Sequence, residues 1–355
     1  MTDRATSVPH SAAPQTTASS PSQRLSKSTT TPRRRPSSSG LARSGDRIYS
    51  AVTFLASLSI FVIILWLLFQ LIGASLPAIH MFGWSFITKS DWNEDTNSFH
   101  ALPFIFGTLY SSFIALVLSV PVSIGAAIFL SELAPRWIRT PATFLIELLA
   151  AIPSVVYGLW GIFILIPFLK VYVFKPVLSS RLPHLPLIGQ LFGGQSAGYS
   201  MLAAGMILAI MVTPFITAVT RDILRAIPRS QREGSYALGA TQWETIGQVV
   251  IPYAKSGIIG AVILGLGRAL GETMAVTMVI GNQSPNTPSG VSLSLFDSGY
   301  TMSSVLANKF NEAIPGLNIA ALVEIALVLF GVTVFVNIIA RLLVFYTAKD
   351  VQGGK

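Results

Sequence analysis

Six apolar stretches, each about 20 residues or longer and so able to cross a hydrocarbon core, run at 48–76, 104–130, 142–169, 199–220, 257–281 and 317–346. In lipid no water satisfies an exposed peptide group, so each stretch must hydrogen-bond within itself as a helix. The expected fold is all-α: a polytopic membrane protein with six transmembrane helices. Composition agrees, because a chain that is 52% hydrophobic and 11% charged cannot clothe a soluble surface. The absence of cysteine removes disulfides, thiolate metal sites and thiol nucleophiles from consideration.

Six spans put both termini on one side, and the basic residues indicate which side. Eighteen of the 24 Lys and Arg residues fall in the N-terminal tail, the loops 131–141 and 221–256, and the C-terminal end. Five fall in the opposite loops, and Arg268 lies inside a span. This excess makes the tail, those two loops and the C-terminus cytoplasmic. Residues 1–45, rich in Ser, Thr, Pro and Arg, read as a disordered basic tail ahead of a six-helix domain at 46–350. Its Arg33, Arg34 and Arg35 read as a topology signal or a contact with anionic membrane lipid, not as a nucleic-acid patch. The apolar core begins near Ile48 after a long polar lead and runs too far for a cleaved signal.

The outer loops hold no enzyme constellation. Loop 77–103 carries Asp91, Glu94 and Asp95, loop 170–198 is rich in Pro and Gly, and loop 282–316 contains a run from Met302 to Phe310 that predicts a short helix. His80, His100 and His184 lack the spacing and carboxylate partners of a metal site and read as solvated interfacial histidines; His10 lies in the tail. Pro121, Pro153, Pro167 and Pro214 are expected to bend spans two to four. Glu147 reads as an acid snorkelling to the interface, and Glu324 as one hydrogen-bonded inside the bundle.

The loop from Arg221 to Lys255 is too long and too patterned for a plain connector. Arg221 to Leu238 mixes apolar Ile223, Leu224 and Ile227 with charges. Gly239 then permits a sharp reversal, Ala240 to Val250 predicts a second short helix, and Pro252 sits where a new helix can begin. Such a helix pair makes a knob able to fill a groove on a cytoplasmic partner, or to rest on lipid.

The fifth span carries Arg268 and Glu272 near its middle, where an ionised side chain costs at least about 2.5–3.5 kcal/mol on insertion scales. At i, i+4 spacing the two share a helical face and can neutralise each other. Alternatively, the planar fork of Arg268 can grip a tetrahedral oxyanion bidentately, while Glu272 holds it in place and limits its grip. Gly271 and Thr273 flank Glu272 and join this candidate pathway set. Gly260, Gly267 and Gly271 fall near one face, and the Gly267–Gly271 step allows close approach of a neighbouring backbone.

Two resemblances follow from these residues. The spacing of Glu233, Gly239, Val249, Ile251 and Pro252 resembles the EAA loop of ATP-binding-cassette importer permeases, E-A-A, three residues, G, nine residues, I-x-L-P. Gly234 and Ser235 stand in place of the two alanines, Ala240 follows the glycine, and the register is intact to Pro252. The resemblance implies that Glu233 to Pro252 docks into a cleft on an ATPase subunit. The segment from Gly265 to Asn282, G-L-G-R-A-L-G-E-T-M-A-V-T-M-V-I-G-N, is similar to a span of phosphate importer permeases of the PstC type. That likeness extends over about residues 48–346 and implies a type I importer-like permease of the bacterial cytoplasmic (inner) membrane. It further implies phosphate as substrate, a heterodimer with a PstA-type permease, a PstB-type ATPase dimer and a periplasmic PstS-type phosphate-binding protein.

A permease driven by a separate ATPase explains both the loop and the charged span, and the chain has no G-x-x-x-x-G-K-[ST] nucleotide motif. A permease for another tetrahedral oxyanion, or a secondary anion transporter or channel, explains only the charged span. No nucleophile with a base, metal set or paired catalytic carboxylates points to an enzyme or a cofactor.

Overall fold

The computed structural model describes residues 40–94, 96–179, 189–193, 198–283 and 291–352, with side chains from 45 to 345. The tail to residue 39, His184 and Asp95 lie outside the described residues. By its contacts the chain divides into two compact units, Met1–Phe61 and Val62–Lys355. In the first, the described residues belong to the helix α1 (Gly40–Phe82), whose side chains from 45 to 61 are all exposed.

Among the described residues, six helices are long and apolar enough to cross a membrane. After α1 come α2 (Leu102–Leu133), an amphipathic α3 (Arg136–Ala150), α4 (Ser154–Leu178), α5 (Met201–Ala226), a short α6 (Arg229–Ala237), α7 (Gln242–Leu270), α8 (Met274–Val279), α9 (Met302–Lys309) and α10 (Leu317–Gln352). Of these, α1, α2, α4, α5, α7 and α10 are the spans. A two-stranded hairpin, β1 (Trp92–Asn93) and β2 (Ser98–Phe99), follows α1.

The expected third span, 142–169, is two helices. Pro153, which has no N–H and a fixed φ, separates α3 from α4, and the span itself runs Ser154–Leu178. Helix α3 buries no residue, and its Trp137, Phe144 and Leu145 are exposed. The predicted helix after Tyr300 is present as α9, opened by a Thr301 capping box with Ser304.

The centre of the second unit is α5, where Ala203, Ala204, Ile207, Leu208, Val212 and Ile216 are essentially inaccessible. It packs along α2, and Ser123 and Thr217 add interhelical bonds to the backbone oxygens of Thr213 and Ser123 at 3.2 and 3.4 Å. Against α7 the close approach uses Gly257 and Gly265, where an added Cβ would lie 2.6 Å from Ile223 and from Ile216. A second apolar cluster joins Phe86, Phe99 and Phe104 to Met302, Val305, Ala321 and Ile325. His100 is buried there, contrary to the solvated reading: its Nδ1 lies 2.9 Å from the Asp91 carbonyl, and its ring sits edge-on to Phe82. His80 is exposed.

Prolines explain the departures from α geometry, three of them inside spans and one just beyond the end of α2. Each of Pro135, Pro167, Pro176 and Pro252 follows a five-residue π turn by two positions. The residue before the proline donates to the carbonyl five back, as Ala134 does to Phe129 at 2.7 Å. Widening the turn moves backbone oxygens away from the pyrrolidine ring, so the helix runs on through Pro167, Pro176 and Pro252, whereas at Pro135 the helix stops at Leu133 and extended Ala134 leads into α3. Pro121 and Pro214 lie instead within unbroken α-helix.

Candidate translocation and coupling sites

The knob between α5 and the fifth span is built by helix-end chemistry. Helix α6 ends at Ala237, and Gly239 takes φ +86°. Gly239 N–H donates to Tyr236 O at 3.0 Å and Ala240 N–H to Ser235 O at 3.2 Å, the pair of bonds that closes a helix through a left-handed residue. Two residues later Thr241 caps α7: its hydroxyl accepts from Glu244 N–H, and the Glu244 carboxylate accepts from Thr241 N–H at 2.7 Å. The expected second short helix does not end at Val250. A π turn at Ile246–Val250 carries it through Pro252 into the span, so knob and span are one helical rod from Gln242 to Leu270.

Of the expected coupling residues, Glu233, Gly234, Gly239 and Pro252 are exposed, while Ala240, Val249 and Ile251 are partly buried. Leu238 is 90% exposed and Trp243 68%, with Tyr236 and, further along α7, Tyr253 also exposed. Large apolar groups left exposed on such a knob mark an interaction surface. Ser235, where the pattern has alanine, bonds through its hydroxyl to that of Thr245 at 3.0 Å and ties α6 to α7.

Two arginines, Arg221 buried and Arg232 partly buried, were not singled out by the sequence. Arg232 Nε and Nη2 donate to the two Glu132 carboxylate oxygens at 3.1 and 2.8 Å, and Nη1 and Nη2 also donate to Ile227 O and Leu224 O, each at 2.8 Å. Arg221 donates to Asp222 at 2.8 Å and to Glu147 at 3.1 Å, so Glu147 is paired across to α5 and not merely snorkelling. Neither stands out locally: Arg221 is followed by Asp222 and Arg232 lies in a polar stretch before Glu233, while Glu147 and Glu132 lie 74 and 100 residues away.

The fifth span is not continuous to Gly281 as expected. Helix α7 ends at Leu270, Gly271–Thr273 is irregular, and α8 begins at Met274. Arg268 and Glu272 therefore do not share a helical face, and no ion pair joins them among the described residues. The Arg268 side chain is exposed, with its guanidinium carbon 5.8 Å from the centre of the Phe215 ring. Glu272 bonds elsewhere: its Oε1 accepts from Ala275 N–H at 3.3 Å, and its backbone oxygen accepts from Ser303 at 2.8 Å. Thr273 Oγ1 donates to Gly271 O at 3.4 Å. Irregular backbone at membrane depth occurs where it is buried in protein or lines a wet cavity.

Open space surrounds Gly260, while Gly267 faces Asn337 Oδ1 at 3.9 Å from an added Cβ. Glu324 is buried in α10, and its Oε2 has no hydrogen-bond partner among the described residues, so the expected bond inside the bundle is not formed there.

Residues 119–348 match the family described as the binding-protein-dependent transport system inner membrane component. The chain is similar to the phosphate transport system permease protein PstC of Haemophilus influenzae, 42% identical across 84% of this chain and 93% of that protein. It is likewise similar to PstC of Mesorhizobium japonicum, at 44% identity across 83% and 89% of the two chains. For PstC 1 of Mycobacterium tuberculosis the identity is 38%, across 75% and 83%. Among solved structures it is similar to a bacterial ABC transporter involved in the import of the acidic polysaccharide alginate, with 16% identity, a TM-score of 0.46 and coverage of 83% and 98%. With a family match over most of its length and curated relatives above 40% identity, this multi-pass membrane chain belongs to the binding-protein-dependent transport permeases, in the PstC phosphate transport permease family.

Proposed function

We propose that this chain forms half of the translocation pathway of an ATP-driven phosphate importer in the bacterial inner membrane. Its companions in that reading are a PstA-type permease, a PstB-type ATPase pair and a PstS-type binding protein outside, and ATP hydrolysis belongs to the ATPase. The observation that carries the reading is Arg268. It stands at the end of a membrane span with its side chain exposed and no ion pair or hydrogen bond among the described residues. A guanidinium left unneutralised there is costly unless a ligand completes it, and its forked donors fit a tetrahedral oxyanion. Glu233 to Pro252 supplies the ATPase-docking knob, with Leu238 and Trp243 as the apolar groups to be covered.

A secondary anion transporter or channel would leave that knob without a partner. The two are separated in proteoliposomes containing the chain with its permease, ATPase and binding-protein companions. Labelled phosphate should accumulate only with ATP, and unlabelled phosphate should compete better than sulfate. Anion flux through the purified chain alone would overturn the importer reading, and stronger competition by sulfate would move it to another oxyanion.

A further inference from the structure

Glu132 belongs to neither the pathway nor the docking knob, yet it holds both helices that form the knob. It lies in the π turn that ends α2. Its carboxylate takes the bidentate fork of Arg232 from α6, and its backbone oxygen accepts from Gln242 Nε2 of α7 at 3.1 Å. Arg232 reaches further, to two carbonyls at the C-terminal end of α5. Arg232 therefore gathers the ends of α2, α5 and α6, and the Glu132 backbone adds the end of α7. Side-chain exposure is 17% for Arg232 and 10% for Glu132, so water screens the pair weakly, and two parallel bonds fix its orientation as well as its distance. Beneath it Ala127, Leu224, Ile227, Val250, Ala254 and Ile258 pack as one apolar cluster. A knob fastened in this way cannot turn on its own: displacing α6 drags the end of α2.

We propose that Glu132 is a positioning residue that transmits movement of the coupling knob to α2, with Arg232 as the link. The proposal rests on the reading that the knob docks an ATPase. Glu132→Gln keeps the side chain's shape and one acceptor but loses the charge and one of the two charge-assisted bonds. Arg232→Lys keeps the charge but loses the fork.

The test compares the full importer complex, carrying each variant, for ATPase co-purification and for phosphate transported per ATP hydrolysed. The ATPase should co-purify with both variants, while phosphate moved per ATP falls by about fivefold or more, the low end of coupling between distinct sites. The double variant should lose no more than the worse single one, because both remove one link. If Glu132→Gln fails to assemble, Gln242→Ala, which removes only the tie from α7, is read in the same way, with a smaller loss expected. Wild-type transport per ATP in the assembled variants, or losses that add independently, would overturn the inference. A wild-type complex in which phosphate does not stimulate hydrolysis would instead overturn the phosphate reading.

Discussion

Arg268 is exposed at the end of α7 and Glu272 is bonded to its own chain, so the two residues have separable tasks. Arg268→Lys should impair phosphate uptake despite keeping the charge, because an ammonium cannot supply a forked contact. Arg268→Ala should be worse, since Glu272 then carries the only charge of this segment and repels an incoming anion. Replacing both residues with Gln should also leave uptake at least tenfold low, a loss of about 1.4 kcal/mol or more in transition-state terms. The check is labelled-phosphate uptake by cells lacking other importers, normalised to assembled complex; near-normal uptake by the double variant would remove Arg268 from the pathway. That an arginine in an apolar run is costly in lipid was legible from the sequence. The partner of its neighbouring glutamate was not. Sequence spacing assumes an unbroken helix, and the Gly271–Thr273 interruption sends the Glu272 carboxylate to Ala275 N–H. Glu132 with Arg232 was likewise invisible, because a long-range ion pair leaves no local period.

The elements were legible wherever local rules govern them. A left-handed residue after α6 follows from glycine alone, and Gly239 has that φ with nothing within 4 Å of an added Cβ. A larger side chain there meets no neighbour, so the cost is backbone strain, about 1–2 kcal/mol for an L-residue. Gly239→Leu should accordingly insert and assemble its membrane domain, while docking of the ATPase weakens about five- to thirtyfold. Pull-down of the ATPase together with phosphate uptake checks this; wild-type values in both would refute the docking role of the turn. Proline was harder to read. Its missing N–H predicts a boundary, and at Pro153 there is one, yet at Pro252 the chain continues through a π turn. The difference is context: a rod running from the knob into the membrane keeps its remaining bonds satisfied by widening one turn, which no pattern of apolar residues announces.

At the scale of the whole molecule, the number of crossings and the sidedness of the loops are what composition governs most directly. Hydropathy alone gave six spans because twenty apolar residues have no other use, and six long apolar helices are present among the described residues. Span ends were less legible. An amphipathic helix such as α3 and the knob end of α7 merge with neighbouring apolar runs, so the third and fifth spans shift along the chain. Sidedness rests on charge: Arg221, Arg225, Arg229 and Arg232 crowd the region where α5 ends and α6 begins, whereas the turn before α10 at Gly316 has none adjacent. Moving such a basic cluster across a membrane is unfavourable, which holds it in the cytoplasm. Four spans precede Pro228 and five precede Gly316. A reporter active only in the cytoplasm should therefore be on when fused after Pro228 and off when fused after Gly316, and one active only outside should give the reverse. Equal signals from the two sites would require an even number of crossings between them, and α7 could then not be the single span there.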